Sequence, residues 1–428
     1  MALGGGTYTV QNKVLGGAYF QFVSVPKATA TIADRGVASI ALDLNWGDGD
    51  DIITIEAREF LRDSLNILGY SYSADELRSL RELFLHAQTV HLYRLNGKGA
   101  KATSDIGTAK YNGTRGNDLK VVISKNVDDP TYFTVATYLD VTEVESQTVK
   151  SASELQDNDF IVFNKGASLE ENAGILFTGG ANSVSGAEDH QAFLNKIENY
   201  PDTNSIGYMG TDETLKNLYV SFTQRMRDEV GVRVQCVVHN KSADSMGVVN
   251  VKNSADLVPW ALGVIAGTAC NKSATNLTYD GELTINTNYT QRQLENSLKA
   301  GEWVLHRVGD KVKVLEDINS LTTITDEIGE VFQDNQTVRI IDTIADACAT
   351  VFCNKYLGKV PNDANGRISL WSDIVKIHQQ LNDIRALENF DPESVTVEHG
   401  ESKKSVLVNS AITVVNTMVR LYMKTTIA

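Results

Sequence analysis

Apolar and polar residues alternate near the end of the chain: Val395 and Val397, then Val406 and Val408, then a β-branched run from Ala411 onward. A period of two marks strands with one buried face, and the turn at residues 399–404, which contains Gly400, joins the first two strands as a hairpin. Residues 414–428 carry no helix stop signal, and their Val, Thr and Ile favour an extended chain. An apolar terminal strand needs a partner edge, in its own chain or on another molecule.

The rest of the chain is read from its start. Residues 1–22 scatter isolated apolar side chains among Gly4, Gly5, Gly6, Gly16 and Gly17, so they can bury no face of their own. They form either a tail or an arm, since about 20 extended residues reach roughly 65 Å. Residues 23–40 alternate around the Asp34-Arg35-Gly36 turn and predict one or two strands. Phe60, Leu61, Leu65 and Leu68 have helical spacing, stopped by Gly69. Ser73 with Glu76 forms a capping-box pattern for a second helix with the stripe Leu77, Leu80, Leu83 and Phe84, followed by a strand over 89–94.

Beyond Asn96 the pattern shortens. Strand-like runs at 120–124, 132–139 and 159–164 are separated by turns at Asn112-Gly113, Gly116-Asn117 and Asp128-Asp129-Pro130, which predicts a small inserted all-β domain. Helical periodicity returns with Phe193, Ile197 and Tyr200. Then come a strand at 206–209, a helix over 214–230 ending at Gly231, and an apolar run at 232–239 suited to a strand buried on both faces. The helix over 257–269 carries Gly263, Ala266 and Gly267, which permit close packing. After a helix at 294–300, residues 302–315 predict a hairpin turning at Gly309-Asp310, and 337–356 and 369–388 predict helices.

The expected class is α+β and multidomain. An α/β core (23–94 and 179–335) carries the inserted β domain (95–178), followed by a C-terminal α+β domain (336–413), with arms at 1–22 and 414–428.

Composition narrows the chemistry. With 428 residues, 42% apolar and 22% charged, the chain can build a sizeable core without staples. Cys236, Cys270, Cys348 and Cys353 are too scattered for a disulfide framework or a zinc site, and read as core thiols in a reducing compartment. A formal charge of −15 disfavours nucleic acid as a partner. The first residues lack a signal-peptide pattern and no segment approaches a bilayer span, so neither export nor membrane insertion is expected.

The search for catalytic patterns gives little. Gly4-Gly5-Gly6 and Gly179-Gly180 lack phosphate-loop or dinucleotide spacing, the seven histidines are dispersed, and there is no Gly-x-Ser-x-Gly elbow. Asp48, Asp50 and Asp51 superficially resemble a calcium loop but lack its downstream Gly and terminal Glu. No catalytic, metal or cofactor site is expected. Lys403-Lys404 reads as a solubilising hairpin tip, or as a contact for an acidic neighbour.

From residue 257 onward the chain carries further patterns. Ala266-Gly267-Thr268 with Ser273-Ala274-Thr275-Asn276 comes first. Gly301 then precedes a hairpin that runs into Ile318-Asn319-Ser320-Leu321-Thr322. Val338-Arg339 with Ile341-Asp342 follows, and last comes Tyr356-Leu357-Gly358-Lys359-Val360 with Asn362. In this order they resemble the C-terminal half of contractile tail sheath proteins, found in phages, prophage particles and phage-tail-like bacteriocins of Gram-positive bacteria. The resemblance implies a homo-oligomer of six-fold rings stacked helically around an inner tail tube, with a baseplate and a tail terminator as further partners. It implies assembly in the host cytoplasm and a stored contraction that drives the tube through a cell envelope without bond cleavage.

The resemblance also implies roles for particular residues. The arms add strands to neighbouring subunits, through Gly4, Thr7, Tyr8, Val10, Val14 and Tyr19 at one end and Val415, Val419, Leu421, Met423 and Ile427 at the other. Val395, Val397, Val406 and Val408 form the receiving hairpin. A C-terminal helix faces the tube, with Lys376 and Arg385 as its contacts. An α/β enzyme and a receptor-binding module are the alternatives. The first lacks convergent polar groups, and the second leaves the arms unexplained.

Overall fold

The computed structural model describes residues 35–427. The expected N-terminal arm, with Gly4, Thr7, Tyr8, Val10, Val14 and Tyr19, and residues 23–34 lie outside the described residues. The first strand, β1 (Val37–Leu42), is followed by β2 (Ile53–Glu56), α1 (Ala57–Leu68), α2 (Arg78–Phe84) and β3 (Thr89–Arg94). Gly69 ends α1 in the left-handed region at φ 75°, its N–H donating to Leu65 O. Phe60 and Leu68 are buried, whereas Leu61 is 62% exposed and falls on the solvent side. The expected Ser73–Glu76 capping box does not form. Arg81 holds the carbonyls of Tyr72 and Ala74 instead, and a single 3₁₀ turn (Asp75–Leu77), with no side-chain cap, leads into α2.

Seven short strands follow: β4 (Lys101–Ser104), β5 (Gly107–Asn112), β6 (Leu119–Lys125), β7 (Phe133–Leu139), β8 (Thr142–Val149), β9 (Ile161–Phe163) and β10 (Asn172–Leu176). They build two antiparallel sheets, ordered β10-β6-β7-β8 and β4-β5-β9. Leu119, Val121, Ile123, Val135, Leu139 and Phe160 fill the core between them, joined by Trp46 from the loop after β1. The Trp46 ring stacks on Phe160 at 6.0 Å and meets Tyr111 edge-on at 5.5 Å. Arg94 staples the same junction. It is fully buried and donates to Leu44 O at 2.8 Å, Gly47 O at 3.0 Å, Asn112 O at 2.6 Å and Asn182 Oδ1 at 3.2 Å. Burial pulls its pKa down to about 10.

The chain then returns through α3 (Ala187–Ile197), β11 (Ser205–Tyr208), α4 (Glu213–Arg225), β12 (Gln235–His239), β13 (Val248–Val251), α5 (Val258–Gly267), α6 (Gln291–Lys299) and β14 (Glu302–Trp303). These strands complete one seven-stranded sheet, ordered β14-β13-β12-β11-β1-β3-β2, parallel throughout except for the β2–β3 pair. Segments on both sides of the β insertion thus share a single sheet. Period-two geometry divides its buried strands between two cores. Val237, Val249 and Val251 pack with α5 and α2, while Cys236, Val238 and Val248 pack with α3 and α4. Close packing at α5 needs glycine, since a Cβ would lie 2.3 Å from Leu83 O at Gly263 and 1.9 Å from His86 O at Gly267. One sequence expectation shifts here. Glu302 and Trp303 belong to the large sheet, and the hairpin proper is β15 (Leu305–Val308) with β16 (Lys311–Val314), turning at Gly309 with φ 63°.

The C-terminal part consists of α7 (Asn335–Val351), α8 (Ala364–Asp383), and a hairpin of β17 (Val395–His399) and β18 (Val406–Ser410). A π-helical stretch, Phe352–Tyr356, extends α7. Ile340, Ala347, Leu370, Ile374, Ile377, Leu381, Leu387 and Val395 form its core. Two buried ion pairs tie α7 to the preceding part: Arg227 to Asp342 at 2.8 Å and Arg339 to Asp317 at 2.6 Å. Burial alone would raise the Asp317 carboxyl, but Arg339, the Ala274 N–H and Asn335 hold it below the usual range. Cys236 and Cys270 are buried and Cys348 is half-buried, but Cys353 is exposed and is no core thiol. Its place on the π-helical stretch turns it away from the core.

Candidate assembly interface

The hairpin pairs Val395 with Ser410, Val397 with Val408 and His399 with Val406. Val395 is buried, and Trp371 of α8 donates from Nε1 to Val395 O at 2.9 Å. Val397 and Val406 are half-buried against the C-terminal core, while Leu407 and Val408 are exposed. His378 of α8 ties the hairpin down further. Its Nδ1 faces Ile374 O at 2.8 Å, so Nε2 is the acceptor for the Ser410 hydroxyl at 3.0 Å. Burial keeps the His378 pKa below its ordinary value. One face of the hairpin thus rests on its own subunit. The sheet has only two strands among the described residues, which leaves edge backbone groups for further pairing.

The segment after β18 changes character part-way. Ile412 and Val414 pack against the C-terminal core, and Val414 bridges Leu387. The Val415 N–H donates to Ala386 O at 2.9 Å and the Thr417 N–H to Gln336 Oε1 at 3.1 Å. Val415, expected in the donated arm, is therefore held by its own subunit, because its backbone already has partners there. From Met418 onward the chain has no regular structure. Met418 is fully exposed, Val419 is 42%, Leu421 88%, Met423 81% and Ile427 91% exposed, and Tyr422 is exposed as well. Arg420 pairs with Glu316 of the body at 2.6 Å. So many neighbouring exposed apolar side chains exceed what a monomer surface ordinarily carries.

Lys376 lies on the outer stripe of α8 with Asn365, Ile368, Ser372, Gln379 and Asp383, all exposed. It is the only cation on that stripe. Arg385 lies past the helix end in the left-handed region at φ 60°, so the two residues are not on one helical face. Neither makes an ion pair with another described residue. Asp48, Asp50 and Asp51 form a turn in which Asp48 Oδ1 accepts the N–H of Asp50 at 2.8 Å and of Asp51 at 3.3 Å. No group of three or more His, Cys, Asp or Glu among the described residues could hold a metal ion. Sequence reasoning missed Gln336, Trp371 and His378, which hold the hairpin and the arm root through contacts distant in sequence.

Comparison with known proteins places this geometry. The phage tail sheath C-terminal domain matches residues 327–428, the phage tail sheath protein central domain 183–320, the phage tail sheath protein β-sandwich domain 96–182, and the N-terminal region of Gp18 domain III 35–95. The crystal structure of a sheath tail protein from Desulfitobacterium hafniense is 33% identical, covers 94% of this chain and 97% of its own, and superposes with a TM-score of 0.82. The chain belongs to the phage tail sheath family. The sheath subunit is also 28% identical to the phage-like element PBSX protein XkdK of Bacillus subtilis, over 98% of this chain and 99% of that one. Its fold extends to the contracted helical sheath of the anti-feeding prophage, with a TM-score of 0.58 at 12% identity, over 97% and 99% of the two chains. It is a tail sheath subunit by family, and its α+β, multidomain class is that of the sheath tail protein it matches.

Proposed function

We propose that this subunit polymerises as stacked six-fold rings around an inner tail tube, and that contraction of the polymer drives the tube through a bacterial envelope. The observation that carries the reading is the exposed apolar segment at 418–427 beside a hairpin with open edges. Strand addition would bury Val419, Leu421, Met423 and Ile427 on a neighbour and complete the backbone pairing of the hairpin formed by Val395, Val397, Val406 and Val408. Residues 1–22 would serve as the second arm. Such contacts are heterologous and propagate without closing, as a helical sheath requires.

In this reading the α/β body (23–94, 179–335), the β insertion (95–178) and the C-terminal domain (336–413) move as units while the arms keep them linked. The outer stripe of α8 faces the tube through Lys376, flanked by Arg385. The work comes from energy stored at assembly, so no bond is cleaved. Baseplate and terminator subunits close the two ends, and assembly takes place in the host cytoplasm. The test is negative-stain imaging of the full chain and of a form ending at Thr417. The full chain should form tubes and the shortened one should remain monomeric. A full chain that stays monomeric at high concentration defeats the proposal.

A further inference from the structure

Thr417 is the last residue of the described chain whose backbone N–H is held by the body of the subunit. The group that holds it is a side chain. Gln336 stands in the first turn of α7, 1% exposed, with its backbone N–H bonded to Asp334 Oδ1 at 2.6 Å. Its amide faces the arm root and makes two complementary hydrogen bonds. Nε2 donates to Val415 O at 3.0 Å, and Oε1 accepts the Thr417 N–H at 3.1 Å. The adjacent Thr337 Oγ1 accepts from Asn416 Nδ2 at 3.0 Å. Just before it, the Val415 N–H donates to Ala386 O and the Glu388 N–H to Thr413 O, both at 2.9 Å. The root is thus paired first with backbone and then, one step along, with a side-chain amide.

We infer that Gln336 is a positioning residue that fixes where the C-terminal arm leaves its own subunit, and so sets the register in which the arm meets a neighbour. The inference rests on the strand-donation reading. A one-residue slip in an added strand turns every side chain to the wrong face. Gln336 grips the carbonyl of Val415 and the N–H of Thr417, and the Asn416 Nδ2 bond to Thr337 Oγ1 between them selects this register, because a one-residue slip would put Val415 or Thr417 in the place of Asn416 and lose that bond. The free arm then begins at Met418, which is fully exposed.

The test uses the full chain with Gln336→Met, which keeps side-chain length but loses both hydrogen bonds, and Gln336→Glu, which keeps only an acceptor. Residue-resolved amide exchange is measured on unassembled subunits, and critical concentration and helical order on the polymer. In Gln336→Met, exchange at Thr417 should rise about tenfold or more, in line with the loss of its one hydrogen bond. Val415, bonded to Ala386, should stay protected. Tubes should need a severalfold higher concentration and lose helical order. Gln336→Glu should retain protection at Thr417 yet assemble poorly, because a carboxylate faces Val415 O.

Unchanged exchange at Thr417 overturns the inference. Tubes of normal order and critical concentration from Gln336→Met also overturn it when the form ending at Thr417 does not assemble. If that shortened form assembles normally, the donation reading itself fails and takes the register role with it.

Discussion

The guanidinium of Arg227 meets the carboxylate of Asp342 through two hydrogen bonds of 2.8 Å, with both side chains buried. Arg227 belongs to the π-helical extension of α4 and Asp342 to α7, so the pair joins the central sheet region to the C-terminal part. Removing one partner strands the other charge away from water. Asp342→Ala should destabilise the unassembled subunit by about 3–5 kcal/mol, whereas the paired change Arg227→Met with Asp342→Leu should recover most of that loss. Urea denaturation of the single and double variants measures the difference. Equal losses in both would show that the charge pairing is not what matters.

A polar change in the free arm should act only on assembly. Leu421→Asp alters a side chain that is 88% exposed, so subunit stability should stay within about 0.5 kcal/mol. Sedimentation should nonetheless show polymer formation reduced at least tenfold. A fall in Tm alongside would place Leu421 in its own subunit's core.

Trp46 and Arg94 should govern how the β insertion sits. Trp46→Ala removes a fully buried ring from between Phe160 and Tyr111 and should cost about 3–5 kcal/mol. Arg94→Met abandons five acceptors in a buried site, so its unfolding midpoint should fall as well. Limited proteolysis should then cut first near residues 95–100 and 178–183. Cleavage elsewhere would argue against this junction.

Acid should weaken the subunit. Burial lowers the pKa of His190, His239, His306 and His378 from the ordinary value of 6.5. The unfolded chain therefore takes up protons first as pH falls. The stability is fully present above about pH 6.5 and declines below it. Thermal melts at pH 7.5 and 5.5 should show a lower Tm in acid, and His378→Gln should shrink that difference. A Tm that rises in acid would contradict the sign.

Lys376→Glu should leave tube-free polymerisation unchanged, because the residue is exposed on α8 and makes no ion pair with another described residue. If α8 faces the inner tube, co-assembly with tube protein should weaken. Normal co-assembly in the charge-reversed variant would remove Lys376 from that role.

Much of this organisation was legible where it depends on local chemistry. Gly69 and Gly231 stop helices through left-handed backbone, the apolar run around Val237 forms a doubly buried strand, and period two marks the β17–β18 hairpin. Features that depend on distant partners were not legible. Ser73 and Glu76 carry the capping pattern, but Arg81 captures the neighbouring carbonyls first. Trp46 sits in a loop-like sequence because the rings it packs on, Tyr111 and Phe160, lie more than sixty positions away. Apolar alternation starts the arm at Val414, since it shows that a strand needs pairing but not which residues are already held by Gln336 and Ala386.

The β insertion leaves and rejoins the body through residues that touch. Ala100 and Ala181 exchange backbone hydrogen bonds of 2.9 and 3.0 Å, and Thr103 and Thr178 bridge beside them. A module whose two ends are a single ladder rung apart adds almost no loop-closure cost to the sheet that carries it. It is therefore a cassette. Another β fold with equally close ends could replace it without altering the strand order of the body.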